Sequence, residues 1–153
     1  QATSITLEDI QNICQTEIFL LPSFAPGGPF PDKKGKWFGV KPRSECEQKA
    51  CAILYLVCMT TFVVNSLKVS NQIILDGGFA SNKLFAGLFA GVNSDRTIII
   101  NEYAFGTAAG AACLLFDKTN GHNFSDPCIP VDALCESSMK RYYGKWLSAV
   151  VGL

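Results

Sequence analysis

The sequence has little charge and no concentration of charge of one sign. Only 17% of its 153 residues are charged, and 13 basic residues balance 13 acidic ones. The nearest approach to a cluster is Lys33 and Lys34 with Lys36 close by. Surfaces that bind nucleic acid or anionic membranes depend on clustered cations, so the sequence predicts neither partner. An average domain carries about 25% charged residues, so we expect part of this surface to be covered by another part of a larger protein.

The chain is also poor in groups for catalysis and metal binding. His122 is the only histidine, lies in a polar loop, and would have to serve any Ser/His/Asp or Cys/His set. No spacing fixes a pair of carboxylates for acid–base work. The seven cysteines include no Cys-x-x-Cys, and Cys51 and Cys58 stand too far apart on one helix to bond. We therefore predict no catalytic residue, no metal ligand and seven reduced thiols, as in cytoplasm.

No hydrophobic run reaches the length of a membrane span. The longest apolar stretch covers residues 50–64, which is 15 residues, and a spanning helix needs about 20. It predicts a long, fully buried core helix instead. Gln1 is not a start methionine, and no basic segment followed by an apolar core opens the chain. We expect a single domain, residues 1–153, cut from a longer protein and without a signal peptide.

Helix and strand signals divide the chain into a regular order of elements. Thr6 predicts the start of a first helix, and the capping box of Ser44 and Glu47 opens the longest helix, which runs to about Leu67. Between them, residues 20–42 hold five prolines and four glycines, which exclude a continuous helix or a central strand. The aromatic residues of this irregular segment are expected to pack over a neighbouring element.

The middle of the chain predicts a β-α-β-α order. Its elements are a buried strand at 72–76, a helix at 82–91 capped by Ser81, a strand at 97–100 and a helix at 106–116. Residues 118–130 predict a polar loop, and residues 131–151 predict a terminal helix that Gly144 could break. The sequence therefore predicts an α/β fold.

Two glycine-containing segments are candidates for ligand binding. The first, Asp76 to Asn82, lies where a strand gives way to a helix, and we expect Gly78 to have positive φ. Glycines let a ligand approach the backbone, and a helix start offers unpaired N–H groups, so nucleotide is the natural candidate. The segment from Asp76 to Asn82 matches neither the Gly-x-Gly-x-x-Gly motif nor the P-loop motif. The second, Gly106 to Ala112, is almost entirely Gly and Ala. For both segments the alternative of a purely structural role stays open.

Taken in order, these segments resemble the C-terminal part of the FGGY family of carbohydrate kinases. Residues 73–82 (IILDGGFASN) are similar to the family's hydrophobic strand followed by Gly-Gly-x-x-x-Asn, and residues 107–112 (TAAGAA) to its late Thr-Ala-Leu-Gly-Ala-Ala helix. Residues 21–31 resemble a Pro-Ser-Phe segment of some members. The resemblance covers a core of about residues 20–117. Ala109 replaces the usual leucine, and residues 118–153 form an extension without an assigned counterpart.

The resemblance implies an incomplete RNase H-like lobe of the actin-like ATPase superfamily. The parent would transfer the γ-phosphate of ATP, with Mg²⁺, to a sugar or polyol hydroxyl bound mainly by an absent N-terminal lobe, and could be a homodimer. This chain would be inactive alone. The ATP-binding residues that the resemblance implies are Gly77, Gly78, Asn82, Gly106, Thr107 and Gly110. The alternatives are a non-enzymatic actin-like module that binds nucleotide or protein, and an unrelated α/β domain in which both segments are packing devices.

Overall fold

The computed structural model describes residues 4–69, 71–101, 111 and 128–152, with the backbone alone for Phe79. Its helices are α1 (Leu7–Thr16), α2 (Glu45–Ser66), α3 (Lys83–Val92) and α4 (Glu136–Val151), with a 3₁₀ turn at Gly77–Phe79. Its strands are β1 (Phe19–Leu21), β2 (Lys36–Phe38), β3 (Gln72–Leu75), β4 (Thr97–Asn101) and β5 (Cys128–Pro130). Apart from Ala111, which is helical, the helix predicted at 106–116 lies outside the described residues.

The first two helices begin where the sequence predicts, because side chains pair the N–H groups of their first turns. The Thr6 hydroxyl accepts the Asp9 N–H at 3.2 Å, and Asp9 in return accepts the Thr6 N–H at 2.9 Å. Ser44 and Glu47 form the same reciprocal pair, with both distances 3.1 Å. A helix start leaves these donors without intrahelical partners, so each capping box sets the boundary locally.

The prediction that α2 is buried on all sides is wrong for this chain. One face is fully buried, while Val63 on another face is 38% exposed. The helix packs against α1, α3, α4 and β1, so its second apolar face is left partly open. By length and composition α2 is the one described helix that could cross a membrane, a test that core helices of soluble proteins also pass.

The strands form two small sheets. β1 and β2 pair antiparallel, and the other sheet has the order β3-β4-β5, with β3 parallel to β4 and β5 antiparallel to β4. The sequence predicted a buried β3, but Ile74 is 56% exposed and only Leu75 is buried, because β3 lies at the sheet edge. The prediction of a polar loop at 118–130 is also wrong at its end. Residues 128–130 form β5, in which Ile129 is paired with Ile100 of β4.

The irregular segment packs over α2, which confirms that prediction. The Phe30 ring lies 4.5 Å from the Phe62 ring, and Phe24 meets Tyr55 edge-on at 5.6 Å between centroids. Near its end the segment forms β2 (Lys36–Phe38), a strand that the sequence did not predict.

The terminal helix begins at Glu136 and not at Val131, and it continues through Gly144 without a break. The residues before it lie against α3, where the Leu134 N–H donates to the Gly87 carbonyl at 2.9 Å. Because residues 131–135 make this contact with α3, they do not join the helix. A tertiary interaction therefore makes α4 shorter than the local sequence pattern predicts.

α4 belongs to the core of the domain. Its buried face consists of Met139, Tyr142, Trp146 and Val150. The Tyr142 hydroxyl donates to the Ile18 carbonyl at 2.6 Å, and the Trp146 indole donates to the Leu20 carbonyl at 2.8 Å. The C-terminal extension that had no assigned counterpart therefore anchors β1.

Candidate functional site

The segment Asp76 to Asn82, called the glycine turn below, lies at the carboxyl end of β3. β3 and β4 are parallel, and Leu75 is paired with Ile100, so the turn leaves the sheet beside the end of β4. Ligands of open α/β sheets bind outside the carboxyl ends of parallel strands. Asp76, Gly77 and Gly78 are all exposed at this edge.

The structure corrects which glycine has the unusual backbone. Gly77 has φ of 73°, whereas Gly78 is not in the positive-φ region. The Asp76 Oδ1 atom accepts the Gly77 N–H at 2.7 Å, and the Ala80 N–H donates to the Gly77 carbonyl at 3.0 Å, which closes the 3₁₀ turn. A Cβ at either glycine would meet no atom within 4 Å. The turn therefore presents its backbone to open space, where a ligand can approach closely.

Asn82, and not Ser81, caps α3. The Asn82 Oδ1 atom accepts the Phe85 N–H at 3.0 Å, while the Ser81 hydroxyl donates to the Gly78 carbonyl at 2.9 Å. The prediction that Ser81 caps a helix beginning at Asn82 is wrong by one residue, because Ser81 stabilises the preceding turn. With its oxygen engaged, the Asn82 amide keeps its NH₂ group for donation to a ligand.

α3 holds the glycine turn against the rest of the domain. All of its residues from Phe85 to Val92 are buried. Two glycines allow residues 134–136 to approach: a Cβ at Gly91 would stand 2.1 Å from the Leu134 carbonyl oxygen, and one at Gly87 would stand 2.5 Å from the Leu134 side chain. A helix fixed this closely provides a rigid base for the turn.

The structure brings together three of the predicted site residues, Gly77, Gly78 and Asn82, within one short turn. The other three, Gly106, Thr107 and Gly110, lie outside the described residues. Within the described residues there is no cluster of three His, Cys, Asp or Glu side chains with the geometry of a metal site.

A surface groove of about 450 Å³ lies away from the glycine turn, between α1, the β1-β2 sheet and α4. Its lining residues are Glu17, Phe19, Phe38, Gly144, Lys145, Ser148 and Ala149. Sequence reasoning selected none of them for function, and the Lys145 ammonium group in the groove is paired with the Glu17 carboxylate.

Burial makes the cysteine thiols of the core poorly reactive. Burial raises the pKa of the Cys14 and Cys51 thiols to about 12, and it raises the pKa of Cys58 well above its ordinary value. The thiolate is the nucleophilic form, so these side chains act as small apolar residues. No disulfide joins any of the six described cysteines.

Comparison with known proteins identifies the family. The family model of the carbohydrate kinase FGGY C-terminal domain matches residues 1–123. The crystal structure of a carbohydrate kinase from Novosphingobium aromaticivorans is similar with a TM-score of 0.79 and 21% identity, over 95% of this chain and 30% of that chain. This likeness shows a shared α/β fold. Comparison with curated proteins found no match. Because the family model covers most of the sequence, the chain belongs to the FGGY family of carbohydrate kinases and is a C-terminal domain of that family, as the resemblance predicted.

Proposed function

We propose that this chain is the nucleotide-binding, RNase H-like lobe of an ATP-dependent carbohydrate kinase of the cytoplasm. The observation that carries the proposal is the glycine turn, with its backbone open to a ligand at the carboxyl end of β3 and its capped, buried helix behind it. Glycine turns before a helix favour nucleotides because the backbone can approach closely and the helix start carries partial positive charge.

In this proposal the adenosine of ATP lies along the glycine turn. Gly77 and Gly78 contact it through the backbone, and the Asn82 NH₂ group donates to an acceptor atom of the base. Gly106, Thr107 and Gly110, which the family resemblance implies as further ATP-binding residues, are proposed to contribute to the same pocket. Mg²⁺ bound with the phosphates of ATP would supply positive charge that offsets the charge of the γ-phosphate during its transfer to a sugar or polyol hydroxyl.

We propose that the 153-residue chain alone does not catalyse transfer of the γ-phosphate to a sugar or polyol. Phosphoryl transfer depends on positioning and on charge stabilisation from all sides of the phosphoryl group. The chain spans 30% of the kinase structure that it resembles, and the sugar is proposed to bind through the lobe that supplies the remaining contacts. A coupled assay of the 153-residue chain against pentoses, hexoses and polyols should show no ATP consumption that depends on the sugar.

The second candidate is a non-enzymatic actin-like module that binds nucleotide or protein. The observation that favours it is the amount of exposed apolar side chain, including Leu67 at 69% and Ile74 at 56%. Both candidates predict a nucleotide or partner contact, but only the kinase predicts sugar-dependent ATP consumption by the full-length parent, and its absence there would favour the module.

ATP titration by calorimetry tests the nucleotide site. Gly78→Val places a branched side chain in the open space above the turn without a positive-φ penalty, so we expect a folded protein whose dissociation constant for ATP rises by at least about tenfold. Gly144→Val is the matched control, because Gly144 is also exposed and open to a Cβ but lies on α4. Equal binding by both variants, or no ATP binding by the unsubstituted chain, would contradict the proposal.

A further inference from the structure

Asp76 occupies a fixed position at the edge of the glycine turn. It directly follows β3, its side chain is exposed, and its Oδ1 atom accepts the Gly77 N–H at 2.7 Å. This hydrogen bond orients the whole carboxylate, because one of its two oxygens is tied to the backbone of the turn. The other oxygen, Oδ2, accepts no hydrogen bond from any described residue.

An ionised carboxylate can only accept hydrogen bonds, which limits the part of a nucleotide that it can meet. The negative charge repels the phosphates, so these must lie away from Asp76. The groups of ATP that can donate are the ribose hydroxyls and the 6-amino group of adenine. Asn82, at the other end of the turn, has only its NH₂ group left to offer, because its oxygen caps α3. That donor suits the ring nitrogens of the base, which act as acceptors.

The two ends of the glycine turn therefore have opposite hydrogen-bonding character, a donor at Asn82 and an acceptor at Asp76. A nucleoside fits this polarity with its base toward Asn82 and its sugar toward Asp76. We infer that the Asp76 carboxylate accepts hydrogen bonds from the ribose hydroxyls of the bound nucleotide and makes the site selective for ribonucleotides. The inference rests on the proposed nucleotide site and assigns a ligand group to a residue outside that set.

Asp76→Asn separates the two oxygens of the side chain. The Asn amide oxygen can still accept the Gly77 N–H and so preserve the turn, but the second oxygen is replaced by an NH₂ group, which cannot accept. The 153-residue chain and this variant are titrated by calorimetry with ATP, 2′-deoxy-ATP and inosine triphosphate, each with and without Mg²⁺. Thermal unfolding of both proteins verifies that the variant folds.

We expect the unsubstituted chain to bind ATP at least about tenfold more tightly than 2′-deoxy-ATP, the scale of a hydrogen bond to a charged group. In Asp76→Asn the two dissociation constants should become nearly equal, through weaker binding of ATP. Asp95→Asn is the control: Asp95 is another exposed carboxylate, placed before β4, and its loss should leave the preference for ATP unchanged.

Three results overturn the inference while the nucleotide site stands. One is a folded Asp76→Asn variant that still prefers ATP over 2′-deoxy-ATP. Another is a loss of affinity that appears only with Mg²⁺, which would make Asp76 a cation ligand. The third is a loss of discrimination against inosine triphosphate alone, which would place the carboxylate at the base. If the unsubstituted chain binds none of the nucleotides, both the inference and the proposed function fail.

Discussion

Gly91→Ala should destabilise the domain, although alanine is the better helix former. The added Cβ would stand 2.1 Å from the Leu134 carbonyl oxygen, and such contacts are not found below 3.0 Å. The backbone at Leu134 must therefore retreat by about 0.9 Å, the difference between those two distances. This movement strains the connection that leads from β5 into α4, and it weakens the hydrogen bond from the Leu134 N–H to Gly87.

The size of the effect follows from three opposing contributions. Overpacking a tight contact costs about 1–3 kcal/mol, and weakening one backbone hydrogen bond costs up to about 1 kcal/mol. Replacing a helical glycine by alanine returns about 1 kcal/mol. We therefore expect Gly91→Ala to lower the free energy of unfolding by up to about 3 kcal/mol, with a central value of about 1.5 kcal/mol. For a chain of this length each kcal/mol shifts the melting temperature by about 2–4 °C.

Thermal and urea unfolding measure this change, and α4 supplies the control. A Cβ at Gly144 would meet nothing within 4 Å, so Gly144→Ala should gain about 1 kcal/mol from helix propensity alone. Gly87→Ala refines the test, because its clash is with the Leu134 side chain, 2.5 Å away. Leu134→Ala should partly rescue Gly87→Ala but not Gly91→Ala. A Gly91→Ala protein that melts at or above the unsubstituted chain would refute the reasoning.

Three further changes test the core and the turn. Trp146→Phe removes the indole donor and leaves a carbonyl of β1 without its partner, which should cost at least about 1 kcal/mol in urea unfolding; unchanged stability would show that α4 does not anchor β1. The Cys14 and Cys51 thiols have pKa values raised to about 12 when folded, so their contribution to stability is complete below about pH 9 and is lost as the pH rises toward 12; melting temperatures that stay level over this interval would contradict it. Gly77→Ala should lose about 1 kcal/mol because φ is positive there, whereas Gly78→Ala should lose little, and equal losses would place the strain elsewhere.

The sequence by itself determined the features that depend on neighbouring residues. The starts of α1 and α2 follow from capping boxes, in which a side chain and a backbone N–H three residues apart pair with each other. The order of β3, glycine turn, α3 and β4 follows from local hydrophobic pattern and from two adjacent glycines. The family resemblance follows from two segments taken together, residues 73–82 and residues 107–112, whose residue types are similar to the family's C-terminal motifs.

The tertiary structure decided whatever depends on partners distant in the sequence. β5 pairs with β4, and Leu134 packs on Gly87 and Gly91, so the predicted loop ends in a strand and the predicted helix starts late. Burial also depends on distant partners. An apolar sequence indicates that a helix such as α2 can be buried, but only its packing partners determine which of its faces is buried.

Within the glycine turn, the sequence determined some features and the tertiary structure decided others. The sequence selected Gly77, Gly78 and Asn82, but it assigned the positive φ to the wrong glycine and the helix cap to Ser81. Both details depend on which hydrogen bonds close the turn: the Asp76 carboxylate accepts the Gly77 N–H, and the Ser81 hydroxyl donates to the Gly78 carbonyl. Several short polar side chains compete for the same few backbone groups in such a turn, and their residue types alone do not rank these pairings; the three-dimensional arrangement of the turn on α3 selects one of them.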